Sequence, residues 1–425
     1  MVPVNLQALG HPMINKKCWS FGELRVRHRF QLTLCILLSI FVPLFLATAA
    51  KAQTFTPLYE FQGGADGGGP NGVIADLAGN LYGTTVAGGT TIFGTVFKLS
   101  PSGVKTILYN FTGGTDGAEP HGTLVRDSKG NLYGTTEYGG NLNVQCVGMQ
   151  GCGVIFKISP SGQETVLHSF TGGLDGGQPL AGLTADGHGA LYGTTAGGAN
   201  TSCRYFVAGC GVVFRIDAVH GFSVLYRFEG GADGGVPESQ LILDASGNVY
   251  GSTTGVGAGN QGTIFKIDPS GHETVLCAFN GYDGSQPYGT LALDSKGNLY
   301  GATYDGGNLN GCNSDGCGVI FELKPDGQEP ILLVFTDDAG GGRPLAGVLR
   351  DNKGNIYGTN ALGADCCGVV FELTPNGVEH VLHTFTGGAD GGSPVTDLTH
   401  DNNGNLYGGT LGGTYGYGTI FKISR

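Results

Sequence analysis

The chain has 425 residues and a formal net charge of −12; 81 residues are glycine, 13 % are charged and 40 % are hydrophobic. Glycine without a three-residue period and only 17 prolines exclude collagen, while regularly recurring aliphatic and aromatic residues exclude disorder. A helical bundle is excluded too, because glycine costs about 1 kcal/mol at each interior helical position; a turn-rich all-β protein remains.

Residues 1–52 read as an address. Lys16, Lys17, Arg25, Arg27 and Arg29 form a basic region, an apolar run follows from Leu32 to Ala50, and Ala50-Lys51-Ala52 supplies a small-x-small cleavage pattern before Gln53. Together they predict a secretory signal peptide, with translation starting at Met1 or Met13. An uncleaved anchor is the rival, since the run is about long enough to span a bilayer; Pro43 and the alanine-rich end favour cleavage. Cys35 follows Leu34, where a lipoprotein signal needs a small residue, so no lipid is expected there. The mature protein is thus expected to be exported, without stable membrane insertion, to the periplasm, the extracellular space or the cell surface. Cleavage leaves 16 basic against 33 acidic residues, a net charge of −17. That balance argues against nucleic acid, whose binding rests on Lys and Arg neutralising phosphates, and against anionic membranes. It also removes Trp19, the single tryptophan, and with it any Trp platform for sugar stacking.

From residue 53 onward one unit recurs. A Tyr-Gly step appears at Tyr82, Tyr133, Tyr192, Tyr250, Tyr300, Tyr357 and Tyr407, at spacings of 51, 59, 58, 50, 57 and 50 residues. Each copy runs from a short apolar stretch ending in Asp, through a turn, to a segment such as Asn80-Leu-Tyr-Gly-Thr-Thr85. A glycine-rich loop of variable length, Gly94-Thr-Val-Phe-Lys-Leu99, a second turn and Lys105-Thr-Ile-Leu-Tyr-Asn-Phe111 complete it. β-branched and aromatic residues between turn signals predict four short strands. Asp127-Ser-Lys-Gly-Asn131 carries the chemistry of a three-residue hairpin with a glycine in the left-handed region, and Ser159-Pro-Ser-Gly162 does the same for the other hairpin. Seven four-stranded antiparallel units predict an all-β, seven-bladed β-propeller over residues 53–425. The chain opens with a fourth-type strand, Phe55–Phe61, and closes with a third-type strand, Gly418–Ile423. The N-terminal strand is therefore expected to join the last blade and close the ring, which removes exposed edges. An open solenoid would leave both terminal units unfinished.

The repeated Asn-Leu-Tyr-Gly-Thr-Thr, Gly-Thr-Val-Phe-Lys-Leu and Phe-Thr-Gly-Gly-x-Asp-Gly elements resemble the tandem repeats of the choice-of-anchor, GloVer-containing bacterial surface and secreted proteins. The resemblance covers residues 55–425. It implies a class and a location, and no activity.

Chemistry has three candidate places. The loop after each fourth strand carries an Asp, as at Asp66, Asp116, Asp175, Asp233 and Asp390, with Asp283 in a shorter copy. Such a ring of carboxylates could hold Ca2+, which wants six to eight oxygens. Each loop offers one carboxylate, however, so the preferred expectation is that each Asp locks its own turn and that no cofactor is needed. Among the cysteines, Cys146 and Cys152, Cys203 and Cys210, and Cys312 and Cys317 flank variable loops and predict three loop-stapling disulfides. Metal ligation is the rival there. Cys366 and Cys367 are adjacent, and either a vicinal disulfide or two thiols is open. Cys277 aligns with Tyr59, Tyr109, Tyr226, His168 and His383 in the fourth strand and is expected to be a buried thiol, with the two histidines packing rather than ligating.

The third place comes from comparing copies. Residues before the loop proline (Gly69, Glu119, Gln178, Val236, Gln286, Arg343, Ser393) and after it (Asn71, His121, Leu180, Glu238, Tyr288, Leu345, Val395) vary while their neighbours repeat. In a propeller they enter the innermost strands around the channel mouth, a concave place of the kind that binds ligands. Glu119, His121, Glu238, Tyr288 and Arg343 are the candidate binding residues; drift at solvent-facing positions is the plainer explanation. The variable loops 140–152, 198–210 and 306–317 are expected on the same face. The leading expectation is a monomeric recognition or scaffold module for a glycan, a peptide or another surface protein. A propeller enzyme of the lactonase or polysaccharide lyase type, with its site at that mouth, is the alternative, and an envelope coat component is a third.

Overall fold

The structure, a computed structural model, describes residues 53–425 apart from 145, 147–149, 201–202, 204–208, 256–260, 310–311, 337 and 364–366. The expected signal peptide and Cys366 lie outside the described residues. The strands form seven antiparallel sheets, one per repeat. Blade 2 shows the plan: Ala118–Arg126, Leu132–Tyr138, Val154–Ile158 and Glu164–Ser169 pair in chain order. In blades 3 to 6 the innermost strand shrinks to two residues, as at Thr184–Ala185. Among the described residues helix is limited to two 3-10 turns, Gly64–Asp66 and Cys312–Ser314. The fold is the seven-bladed propeller expected from the repeat.

The signature residues of the repeat have local physical reasons. In blade 2 one oxygen of Asp127 accepts the N–H groups of Lys129 and Asn131, and the other accepts the Asn131 amide and the Tyr133 hydroxyl. The turn glycine, Gly130, sits at φ 84°. Blade 3 has Ala190 where the others have Asn; Asp186 keeps its two backbone bonds, and the Tyr192 hydroxyl instead accepts from Arg215 Nε. The Tyr-Gly glycine pairs across the ladder with a phenylalanine of the third strand, as Gly301 does with Phe321. A Cβ on Gly301 would stand 2.4 Å from that fully buried ring. The glycine is therefore required by packing.

The blades share no single core; hydrophobic clusters sit at each of seven seams. Tyr82, Val96 and Phe111 of blade 1 pack on Leu132, Phe156 and Ile158 of blade 2. The seam between blades 7 and 1 is built alike, from Tyr407, Ile420 and Phe61 against Val73, Leu81 and Phe97. Thr54–Glu60 pairs antiparallel with Thr419–Ser424 and so completes blade 7. It is a genuine fourth strand: its register slips between Pro57 and Tyr59, at Leu58. Every other fourth strand slips at the equivalent leucine, Leu167 in blade 2 and Leu276 in blade 4 among them. Closure is reinforced by the Thr399 hydroxyl donating to Val73 O and by Phe61 N–H donating to Gly418 O.

Candidate functional site

The loop proline positions two rings of residues. The residue before it has left-handed backbone in all seven blades, with φ between 51 and 64°, although only one of the seven is glycine. Such a conformation costs about 1 kcal/mol or more for a residue with a side chain. It is held because the N–H at each position donates to a carbonyl of the preceding blade: Glu119 to Phe93, Gln178 to Cys152, Val236 to Cys210 and Arg343 to Cys317 among them. This turn delivers the residue after the proline to the axis. All seven of those residues, Asn71 through Val395, line one cavity of about 490 Å3 that draws on every blade.

The two sets separate in space. His121, Glu238 and Tyr288 face the cavity; Glu119 and Arg343 are outside its lining. Arg343 is engaged with its neighbours: its NH2 donates to Cys312 O (2.9 Å), its Nε lies 3.2 Å from Asp305 and its guanidinium stacks on Tyr304. It braces the stapled loop of blade 5. Glu119 stays beside His121, and both meet a third residue, Glu137, with one ligating atom from each within 4.8 Å of the others. Glu137 is absent from the expected set because it lies at the end of the second strand, not beside the proline. Its signal was there: the residue after Tyr-Gly-x-x is Val86, Glu137, Ala196, Thr254, Tyr304, Ala361 and Leu411, and only one is charged.

Blades 2 to 5 thus carry a polar arc at the mouth. His121 Nε2 is 3.0 Å from Glu137 Oε2. Gln178 Nε2 donates to Glu137 Oε1 (3.2 Å). The Thr254 hydroxyl donates to Glu238 (3.3 Å), and the Tyr288 hydroxyl to Gln286 Oε1 (3.2 Å). Burial raises Glu137, but its contacts with His121, Tyr138 and Gln178 outweigh this and hold it below the usual glutamate range. Glu119 is raised, by burial and by the charge of Glu137. Glu238 is pushed up to about 7, mainly by burial. Asp397, on the same lining, ties blades together, accepting from Gly347 N–H of blade 6 and from the Thr290 hydroxyl of blade 5.

The loop aspartates are placed elsewhere, each within its own turn. Asp66 accepts from the Tyr59 hydroxyl and Gln62 N–H, and Asp116 from Tyr109 and Thr112. Asp175 meets His168 and Thr171 N–H, Asp233 meets Tyr226 and Glu229 N–H, and Asp390 meets His383 and Thr386 N–H. No two of these share a loop. His168 and His383 stack on Phe222 and Phe55, with ring centroids 3.7 and 3.5 Å apart. Cys277 is a free thiol that donates to Glu329. The disulfides Cys146–Cys152, Cys203–Cys210 and Cys312–Cys317 are formed, and Cys367 is disulfide-bonded. Three stapled loops mark a chain that folds in an oxidising compartment. The closing cysteines, Cys152, Cys210 and Cys317, are the ones whose carbonyls receive the N–H before the next blade's proline, so each staple stiffens part of the mouth.

The Gloeobacter/Verrucomicrobia repeat matches residues 44–204, 142–313 and 310–425. The chain belongs to this family. No curated protein matches its sequence. Among solved structures, this Gloeobacter/Verrucomicrobia repeat protein is similar to the extracellular domain of a protein described as a one component system from B. thetaiotaomicron. The TM-score is 0.54 at 11 % identity, over 88 % of this chain and 40 % of that one. It therefore spans well under half the length of that structure. A gluconolactonase from Xanthomonas campestris aligns with TM-score 0.44 and 12 % identity, over 88 % of this chain and 89 % of that one. Likeness at these identities speaks to the propeller fold of the repeat protein and to nothing finer. Among the described residues no helix is long and apolar enough to cross a membrane.

Proposed function

We propose that this propeller is an exported recognition module that takes a neutral or cationic glycan or peptide segment at the channel mouth of blades 2 to 5. The observation that carries the reading is the asymmetry of the mouth. A scaffold that repeats itself sevenfold places His121, Glu238 and Tyr288 in blades 2, 4 and 5, with Leu180 of blade 3 between them, and the apolar Leu345 and Val395 in blades 6 and 7 of the same cavity. Carboxylates, an amide and a phenol beside apolar side chains are the mixture that fixes a small ligand's orientation. Among the described residues no lysine or arginine lines the cavity, so anionic ligands are disfavoured. A screen of residues 53–425 against neutral, amino and uronic glycans and short peptides tests this. Binding by the wild type that is lost in His121→Ala and Glu238→Ala, with uronic acids failing, is the expected result. Binding that survives both variants places recognition on another surface, and a wild type that captures none of these ligands defeats the reading.

One observation favours an enzyme as a second reading. Burial pushes Glu238 up to about 7, so at neutral pH it exists in both protonation states, as a general acid–base group needs. Turnover of a lactone or an elimination in a polysaccharide, abolished in Glu238→Gln, would favour this reading over recognition.

A further inference from the structure

We propose that Glu119, His121 and Glu137 form a site for one borderline divalent transition-metal ion, of the Zn2+ or Mn2+ class, at the channel mouth. Three features carry it. The ligating atoms of these residues converge within 4.8 Å of one another, and two ligands on one such ion, each about 2.1 Å from it, stand about 3 Å apart. His121 Nε2 and Glu137 Oε2 already stand 3.0 Å apart.

The second feature is how those two atoms face each other. His121 Nε2 is buried and makes no hydrogen bond, even though a carboxylate oxygen lies at 3.0 Å. A proton on that nitrogen is not aimed at the oxygen. The nitrogen is therefore left without a hydrogen-bond partner beside two carboxylates, as a metal ligand would be before its ion binds.

The third feature is charge. Glu119, Glu137 and, across the cavity, Glu238 surround one imidazole, while Arg343, the arginine beside a loop proline, is paired with Asp305 and Asp315. A divalent ion offsets that excess where no lysine or arginine of the lining does. An imidazole with two carboxylates suits a first-row ion better than Ca2+, which takes oxygen ligands alone. Gln178, donating to Glu137 Oε1, is the outer partner that fixes the ligand's orientation. Because His121 also lines the cavity, positions left open on the ion face the space where a ligand enters. The site goes beyond the recognition reading and stands without it.

The test is a titration of the full chain, stripped with a chelator, with Zn2+, Mn2+ and Ca2+ in turn, followed by calorimetry. The expected result is one Zn2+ or Mn2+ per chain. Glu119→Gln, which keeps side-chain volume, and His121→Asn, which removes the ring nitrogen, each weaken it by more than about 100-fold, beyond the 10- to 100-fold that an outer partner costs. Gln178→Ala falls within that smaller range, and Glu164→Gln, at a distant seam, leaves affinity unchanged. Visible absorption of the Co2+-loaded protein that vanishes in His121→Asn reports ligation directly. Equal uptake by the wild type and by the combined Glu119→Gln, His121→Asn variant, or a preference for Ca2+, overturns the proposal. No ligand is needed for this titration, so its failure and that of the recognition reading are separate results.

Discussion

At the residue scale, one position shows how the repeat is tuned. The residue three positions before the slipping leucine is Lys105 in blade 1, Glu164, Glu273, Glu329 and Glu379 in blades 2, 4, 5 and 6, and aromatic in Phe222 and Phe55 of blades 3 and 7. Each meets the fourth strand of the preceding blade or the loop that follows it. Lys105 lies 2.6 Å from Asp66, and Phe55 and Phe222 stack on histidines. Glu164, Glu273 and Glu329 meet the carboxylates Asp116, Asp233 and Asp283 in that order. Burial, with those charges added, pushes all three up to about 7. The folded state then holds protons that the unfolded chain has lost, so the contribution of these three groups is full below the ordinary glutamate range and is lost as pH rises from 4.5 to about 7. Thermal melts at pH 5 and pH 8 should therefore place the midpoint higher at pH 5. Changing the three glutamates to glutamine should flatten that dependence, and a profile that keeps its slope would show that other groups set it. The alternation of Lys, Glu and Phe is legible in the sequence. Its partners are not, because each belongs to the previous blade.

At the scale of the element, the turns and ladders were legible because their chemistry is local. The Asp-x-x-Gly-Asn pattern closes on itself within five residues, and no distant contact is needed to recognise it. Asp244→Ala, which leaves two N–H groups, an amide and a phenol without their acceptor, should cost about 1–3 kcal/mol in urea unfolding. The Tyr-Gly step is different: glycine repeats in the sequence, but its cause lies on the facing strand. Gly301→Ala drives a Cβ into Phe321 and should cost about 1–3 kcal/mol; the double change with Phe321→Leu should recover part of it. A neutral Gly301→Ala would mean that the ring swings aside. The mouth was half legible for the same reason. The position after the proline reaches the axis in every blade. The position before it turns left-handed to reach the previous blade, and a stapled loop captures Arg343.

At the scale of the whole molecule, seven seams replace one core, and the last seam is made by the strand that comes first. Removing residues 53–61 would strip Phe55 and Phe61 from the clusters on either side of blade 7 and bare the edge of Thr419–Ser424. Exposed edges recruit other strands. The shortened protein should melt lower and show a larger scattering mass per chain than the intact protein; an unchanged melt would mean that the closing strand adds little to the ring.

The number of blades, the hairpins, the strand that closes the ring and the pairing of cysteines around three loops could be read from the chain alone, since each is written in spacing or in residues a few positions apart; that the pairs are disulfides came from the fold. Only the tertiary structure decided that Glu137 joins Glu119 and His121, that Asp397 ties blades 5, 6 and 7 and that Arg343 is drawn off the axis. These contacts join residues brought together by strand ends and ring curvature, and backbone geometry, not pattern, decides which side chains meet there.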